Sequence, residues 1–266
     1  MENTTQKIKV SIICPAYNCE DFIDKTIESA MSQTHSNWEL IIVDDNSSDG
    51  TVKRVEKYED KRIRLFRNSE NKGAAYSRNL ALEKAEGEYI AFLDGDDYWL
   101  SDKLEDQLKF MVEGNIHFSY TNYYVLNNEE NKINTYITGP KIVTRRKLLR
   151  ADYMGCLTVM YKKSLLPSLK IPNNIRKRND YALWLLLSEK SSCYLLNKRL
   201  SVYRKRKNTI SSSSKLNLFK NHVFLFKTLY NFSTIKSVLF ASRNAFYYVL
   251  KIIFYRKKVR ADSSIV

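Results

Sequence analysis

Glycine and proline are scarce in this chain of 266 residues, at 7 and 4, and nothing repeats at a period of roughly 20 to 50 residues. Collagen-like arrays, propellers and solenoids are therefore excluded. Cysteine is equally sparse. Cys14, Cys19, Cys156 and Cys193 form no Cys-x-x-Cys pair and have no histidines at zinc-finger spacing, so reduced, mostly buried thiols are expected. No apolar run reaches the length of about 20 residues that a membrane-spanning helix needs. The polar stretch Met1–Lys9 has no apolar export core, so the expected location is the cytoplasm.

What remains is a composition with 44% hydrophobic and 12% aromatic residues, enough to bury one substantial core with a smaller appendage. The net charge of +15 is concentrated at one end. Residues 201–266 carry 14 Lys/Arg against one acid, Asp262, while the first 200 residues carry 30 basic and 28 acidic side chains. A near-neutral catalytic body with a basic arm fits this polarity better than a uniformly basic nucleic-acid binder.

Lys9-Val-Ser-Ile-Ile-Cys14 and Trp38-Glu-Leu-Ile-Ile-Val43 are apolar, β-branched runs that predict strands buried on both faces. Arg62–Phe66 and Glu88–Leu93 predict two more strands. Helices are expected after Asn18, which can cap one, then over about 51–58 and 74–85. Strands alternating with helices imply an α/β fold with a doubly wound, mainly parallel sheet. Beyond Ser101 the pattern predicts a helix over 102–113, a strand over 117–126 with a hairpin partner near 132–137, and helices near 144–150 and 181–188. In doubly wound sheets ligands bind beyond the carboxyl ends of the strands. Tyr17, Asp44 with Asp45, and Asp94-Gly-Asp-Asp97 all fall there. Three aspartates in one turn repel each other unless a cation sits among them. Oxygen donors without His or Cys suit Mg²⁺ or Mn²⁺, although a solvated turn with capping aspartates would look the same locally.

Four ordered motifs over about 90 residues carry a resemblance. Val10-Ser-Ile-Ile-Cys-Pro-Ala-Tyr-Asn18, Glu39-Leu-Ile-Ile-Val-Asp-Asp-Asn-Ser-Ser-Asp-Gly-Thr51, Asn71-Lys-Gly-Ala-Ala-Tyr-Ser-Arg-Asn79 and Gly87-Glu-Tyr-Ile-Ala-Phe-Leu-Asp-Gly-Asp-Asp97 resemble the family 2 glycosyltransferases of the GT-A fold. The resemblance implies a UDP-sugar donor site containing Pro15, Tyr17, Asp45, Asn71, Arg78 and Asp94. Tyr17 would stack on uracil and Asp45 would accept its N–H. Asp96 would hold Mn²⁺ or Mg²⁺ on the diphosphate, with Asp94 facing the ribose or the metal's waters.

Farther on, Arg178-Asn-Asp-Tyr-Ala-Leu-Trp184 resembles the family's Glu-Asp-x-x-Leu-Trp segment, with Asn179 in place of the usual Glu. By that resemblance Asp180 is the catalytic base. Trp184, with Asp97, is assigned to the acceptor side. Tyr203-Arg-Lys-Arg-Lys-Asn-Thr-Ile-Ser211 resembles the segment closing over the donor phosphates, which gives Arg204 and Arg206 to the departing diphosphate. The implied reaction is inverting: a single hexose, glucose or galactose ahead of an N-acetylhexosamine, moves to a glycan hydroxyl to form a β-glycoside in surface polysaccharide assembly. The Gln-x-x-Arg-Trp motif of processive synthases is missing.

The expected organisation is a catalytic domain over 1–210, divided near residue 100 into nucleotide-sugar and acceptor halves, followed by a basic amphipathic helical extension over 211–266. Two helices in 216–255 interleave aromatics with Lys220, Lys227, Lys236 and Arg243, and Arg256, Lys257, Lys258 and Arg260 follow. Such helices suit an anionic membrane surface, consistent with an acceptor on a polyprenyl diphosphate and a peripheral position on the inner face of the plasma membrane. Packing on the catalytic domain or a second subunit is the alternative. A nucleotidyltransferase would show a glycine-rich phosphate loop where Pro15-Ala-Tyr-Asn18 stands. An RNA-binding protein, the reading from another class, is opposed by the acidic clusters in the expected cleft, so no nucleic acid is expected as partner.

Overall fold

The computed structural model describes residues 5–127, 132–205 and 215–259. Strand β1 (Val10–Ala16) lies between β2 (Trp38–Asp44) and β4 (Tyr89–Phe92), and β3 (Ile63–Arg67) flanks β2; all three pairings are parallel. The β-branched runs are fully buried because helices cover both faces, α1 (Ile23–Met31) on one and α3 (Ala74–Lys84) on the other, with α2 (Thr51–Val55) packed beside α1.

The parallel arrangement predicted from the sequence holds for these four strands, and beyond them the sheet becomes mixed. Among the described residues it has 11 strands. After β5 (Tyr98–Trp99) and helix α4 (Lys103–Glu113) come β6 (Phe118–Asn127), β7 (Lys132–Ile137) and β8 (Ile142–Val143). A short helix α5 (Arg145–Leu148) and β9 (Met160–Lys162) follow, and β9 pairs antiparallel with both β4 and β6, joining the two halves of the sheet. Helix α6 (Asn179–Leu187) is apolar on all sides and buried. Trp184 belongs to this core: it is fully buried, with its ring edge-on to Phe92 at 5.1 Å between centroids. It cannot meet an acceptor, and its expected role is corrected to packing.

Strand β10 (Cys193–Lys205) was not foreseen. It runs parallel to β6 with register shifts around Arg199, and its alternation is too broken to read as a strand from sequence. The two expected C-terminal helices form as α7 (Lys215–Tyr230) and α8 (Thr234–Tyr255), the latter capped by the Ser233 side chain. Leu225 and Phe226 of α7 enter the core, and Asn244 of α8 donates to the Tyr181 hydroxyl at 2.9 Å. One face of the arm is therefore part of the body. A last strand, β11 (Arg256–Lys258), closes antiparallel on β7. No helix among the described residues is long and apolar enough to cross a membrane.

Candidate active site

The site forms where β1 ends. There the carbonyl of Pro15 accepts the amide of Gly95 at 3.2 Å and the carbonyl of Ala16 accepts that of Asp45 at 2.8 Å. One strand end thus holds both acidic loops. Gly95 is closely approached: a Cβ there would come to 3.0 Å from the Cys19 sulfur, so any side chain would have to push the thiol aside. Tyr17 stands at the same edge and is half exposed, so one face of its ring is open for stacking.

Asn18 does not cap a helix. It adopts a left-handed conformation, and its side-chain oxygen accepts the Ser48 amide at 2.9 Å, while the Glu20 carboxylate accepts the Gly50 amide at 2.6 Å. The cap is displaced because the residues after β1 are used to tie down the loop after β2, and α1 begins only at Ile23.

Asp45 is buried and accepts from three donors: the Asn68 side chain at 2.7 Å and the amides of Lys72 at 2.9 Å and Gly73 at 2.7 Å. Gly73 has φ +87°, which aims its amide at the carboxylate just before α3 begins. Asn71 is exposed on this turn. Asn68, which also donates to Ser77 at 3.1 Å, went unnoticed in the sequence, because a lone polar residue after a strand carries no periodic signal.

Arg78 links the halves. Buried on α3, its guanidinium donates to Asp94 and to the Asn179 side chain, and it lies 3.5 Å from the Cys156 sulfur. Burial alone would lower its pKa, but the charges of Asp94 and Asp180 hold it above the ordinary arginine value. Asp94 is pushed up by burial, against the pull of Arg78, with Asp96 and Asp180 adding to the rise. The Arg78–Asn179 bond thereby brings the start of α6, with Asp180 in its first turn, to the aspartate cluster at the end of β4.

Asp97 does not face an open acceptor space. It is buried and accepts the Arg204 amide at 2.9 Å, pinning β10 to the acidic loop; burial and then the charges of Asp96 and Asp94 raise its pKa. This brace replaces its expected acceptor role. The Arg204 guanidinium stacks over Tyr98, 5.0 Å from the ring centroid. Arg206 lies outside the described residues.

Among the described residues no group of three or more His, Cys, Asp or Glu side chains is gathered to hold a metal ion. Arg78 already occupies part of Asp94, and Asp97 is turned to the Arg204 amide. Asp94 and Asp96 together supply fewer carboxylates than a closed cage needs. That set fits a hard divalent ion completed by substrate phosphates and water.

A sheet whose parallel strands end in an acidic edge, with Tyr17 and the start of the Asp180 helix beside it, has the arrangement of a GT-A glycosyltransferase fold. The fold agrees. Staphylococcus aureus TarS (residues 1–349), solved with UDP-GlcNAc, matches with a TM-score of 0.67 at 23% identity, over 92% of this chain and 73% of that one. The sequence profile of Glycosyl transferase family 2 matches residues 11–166, and the chain belongs to that family. It is 42% identical over 206 residues to the Escherichia coli UDP-Glc:alpha-D-GlcNAc-diphosphoundecaprenol beta-1,3-glucosyltransferase WfgD, covering 77% of this chain and 80% of that protein. A second such E. coli enzyme, WfaP, is 41% identical over 181 residues, covering 68% of this chain and 70% of its own length.

Proposed function

We propose that this enzyme transfers one hexose, glucose first among the candidates, from a UDP-sugar to a hydroxyl of a sugar carried on a polyprenyl diphosphate, forming a β-glycoside for a surface polysaccharide. The observation that carries this reading is the Arg78 bridge, which sets the Asp180 helix against the Asp94–Asp96 edge. The names of the relatives supply the donor and acceptor.

In this reading Tyr17 stacks on the base and Asp45 keeps a lone pair for the uracil N–H while clamping the 72–73 turn. Asp94 and Asp96 would hold Mn²⁺ or Mg²⁺, which supplies positive charge against the diphosphate. Asp180 takes the proton of the acceptor hydroxyl as that oxygen bonds to the anomeric carbon and the bond to the diphosphate breaks. The products are the glycoside, UDP and a protonated Asp180. Displacement in one step from the opposite face inverts the centre. Arg204 and Arg206 stabilise the leaving group. The arm over 216–260 rests on an anionic membrane surface, next to a catalytic body over 1–210.

The test is a melting measurement with Mn²⁺ and UDP, GDP, CDP or ADP, because a ligand of the folded state raises Tm. A rise with UDP is expected, followed by transfer from UDP-glucose to a GlcNAc-diphosphate lipid. Asp180→Asn should keep the UDP shift and lose about a hundredfold or more in transfer, the size of a general-base contribution. An unchanged rate would remove Asp180 from the mechanism, and the absence of a shift with every nucleotide would remove the donor assignment.

A further inference from the structure

Asp180 is followed in space by a second charged group that the reaction as described does not use. Arg178, the residue before Asn179, has its Nη1 3.7 Å from the Asp152 carboxylate. Lys251 of α8 donates at 2.6 Å to the main-chain oxygen of Asp152 rather than to its carboxylate. The charges of Asp180 and Arg178 act on both Asp152 and Lys251, which also act on each other. Neither cation is used up by this arrangement. The Arg178–Asp152 separation is longer than a hydrogen bond, and the Arg178 Nε is buried without a partner among the described residues. Lys251 has further N–H donors beyond the one given to a neutral carbonyl.

The backbone adds to this. Arg178 is a non-glycine residue with φ +62° at the start of α6. Such a conformation costs free energy and is characteristic of sites where a side chain must be aimed.

We propose that Arg178 and Lys251 bind the diphosphate of the lipid-carried acceptor. The inference rests on the acceptor reading above. If the accepting hydroxyl belongs to the sugar attached directly to the diphosphate, the anion lies within one pyranose ring of the base. Cations that hold it must then lie near Asp180; Arg178 stands two residues before it, and the charges of Arg178 and Asp180 both act on Lys251. Guanidinium and ammonium donors at one place match two neighbouring phosphoryl groups. Helix α8 also supplies the path for the lipid. Lys251 is half-buried on the inner side, while Ile235, Leu239, Phe246, Val249 and Ile253 are exposed. Within one turn of Lys251 the helix passes from an anion-binding side to an apolar one, the same order as in the acceptor. An apolar face flanked by the basic Arg256-Lys257-Lys258 suits a bilayer edge.

The test compares two water-soluble acceptors bearing the same α-linked GlcNAc, one on a short-chain alkyl diphosphate and one on the matching alkyl alcohol without phosphate. Arg178→Gln and Lys251→Met should each raise KM for the diphosphate acceptor by about tenfold or more, as loss of a charged partner does. KM for the UDP-sugar and the rate with the uncharged glycoside should stay as in the wild type. Lys251→Arg, which keeps the charge, should retain the diphosphate preference, and it covers the case in which Lys251→Met does not fold. Variants that lower the rate with both acceptors equally would overturn the site and leave Arg178 and Lys251 as braces for the segment around Asp152. A bilayer headgroup presents the same phosphate oxygens. If phosphatidylglycerol vesicles lacking acceptor displace the soluble diphosphate from these cations, the assignment to the acceptor is overturned as well. Wild-type protein that transfers sugar to neither acceptor would overturn the underlying acceptor reading, which the other outcomes leave intact.

Discussion

The parallel half of the molecule and the half beyond Ser101 build their share of the site in opposite ways. In the first, Tyr17, Asp45, Asp94 and Asp96 each follow a buried strand, and main-chain bonds from Pro15 and Ala16 hold the two acidic loops. Position along the chain is then nearly position in space. In the second, Asp152, Asn179 and Lys251 come from three distant segments, with Lys251 bonded to the Asp152 carbonyl and Asn179 to Arg78. The first half can be read one motif at a time; the second has to be assembled.

The sharpest way to break this contrast is Arg78→Met, which removes the side chain bonded to both Asp94 and Asn179. Asp94 would lose its buried cation and Asn179 its donor. Removing one partner of a buried ion pair costs about 3 to 5 kcal/mol, because the other charge is left uncompensated. Asp94 is partly exposed, so the lower end is expected. Urea unfolding should show the loss, and transfer should fall further than stability alone explains because Asp180 is no longer drawn to the donor edge. If activity and stability both persist, Arg78 is not what sets Asp180 against the donor edge.

The same bond explains a departure from the family pattern. Asn179 stands where the resemblance implies an acid, and as an amide it accepts from Arg78 without neutralising it. The guanidinium charge is left for Asp94. From sequence this looked like a lost acid; its meaning needed the partner 101 positions away. The positions of Asp45, Asp94 and Asp96 at strand ends were legible because a buried run followed by turn residues announces a strand end. Trp184 and Asp97 were misread for the converse reason: an aromatic or an acid inside a motif does not disclose which way its side chain points, and both point inward. Strand β10 was illegible because its register shifts erase the alternation.

His222 sharpens the comparison by asking whether α7 is an appendage or part of the core. It is buried against Tyr181, its Nδ1 faces the Leu218 carbonyl, and burial, then the Arg178 charge, pulls its pKa down to about 4 from 6.5. A folded-state pKa below the unfolded value means that the unfolded chain binds the proton more readily. Stability should therefore fall as pH drops from 6.5 towards 4, by up to about 3 kcal/mol. Asp152, raised by burial to about 6, works in the opposite direction, destabilising the fold as pH rises from 3.8 towards 6. Comparing His222→Leu with wild type isolates the histidine: the difference between their acid unfolding profiles should open below pH 6.5. Parallel profiles would mean that α7 leaves the core before the protein unfolds.

The smallest effect is expected just past the junction of the two halves. Lys103 opens α4 and is fully buried; its ammonium has no hydrogen-bond partner among the described residues and lies 3.9 Å above the Trp99 ring centroid. Burial holds its pKa well below the usual lysine range. The ring favours a charged amine, but no carboxylate is paired with it, so desolvation prevails. Lys103→Met keeps the length of the side chain and removes the orphaned amine, which should stabilise the protein by about 1 to 2 kcal/mol at pH 7. The gain should shrink as pH rises towards 10.5, where the unfolded chain no longer gains a proton that the folded state refuses. Denaturant midpoints of the two proteins at pH 7 and 9.5 decide the matter. A loss of stability at both values would show that the amine is charged in the fold and held there by Trp99.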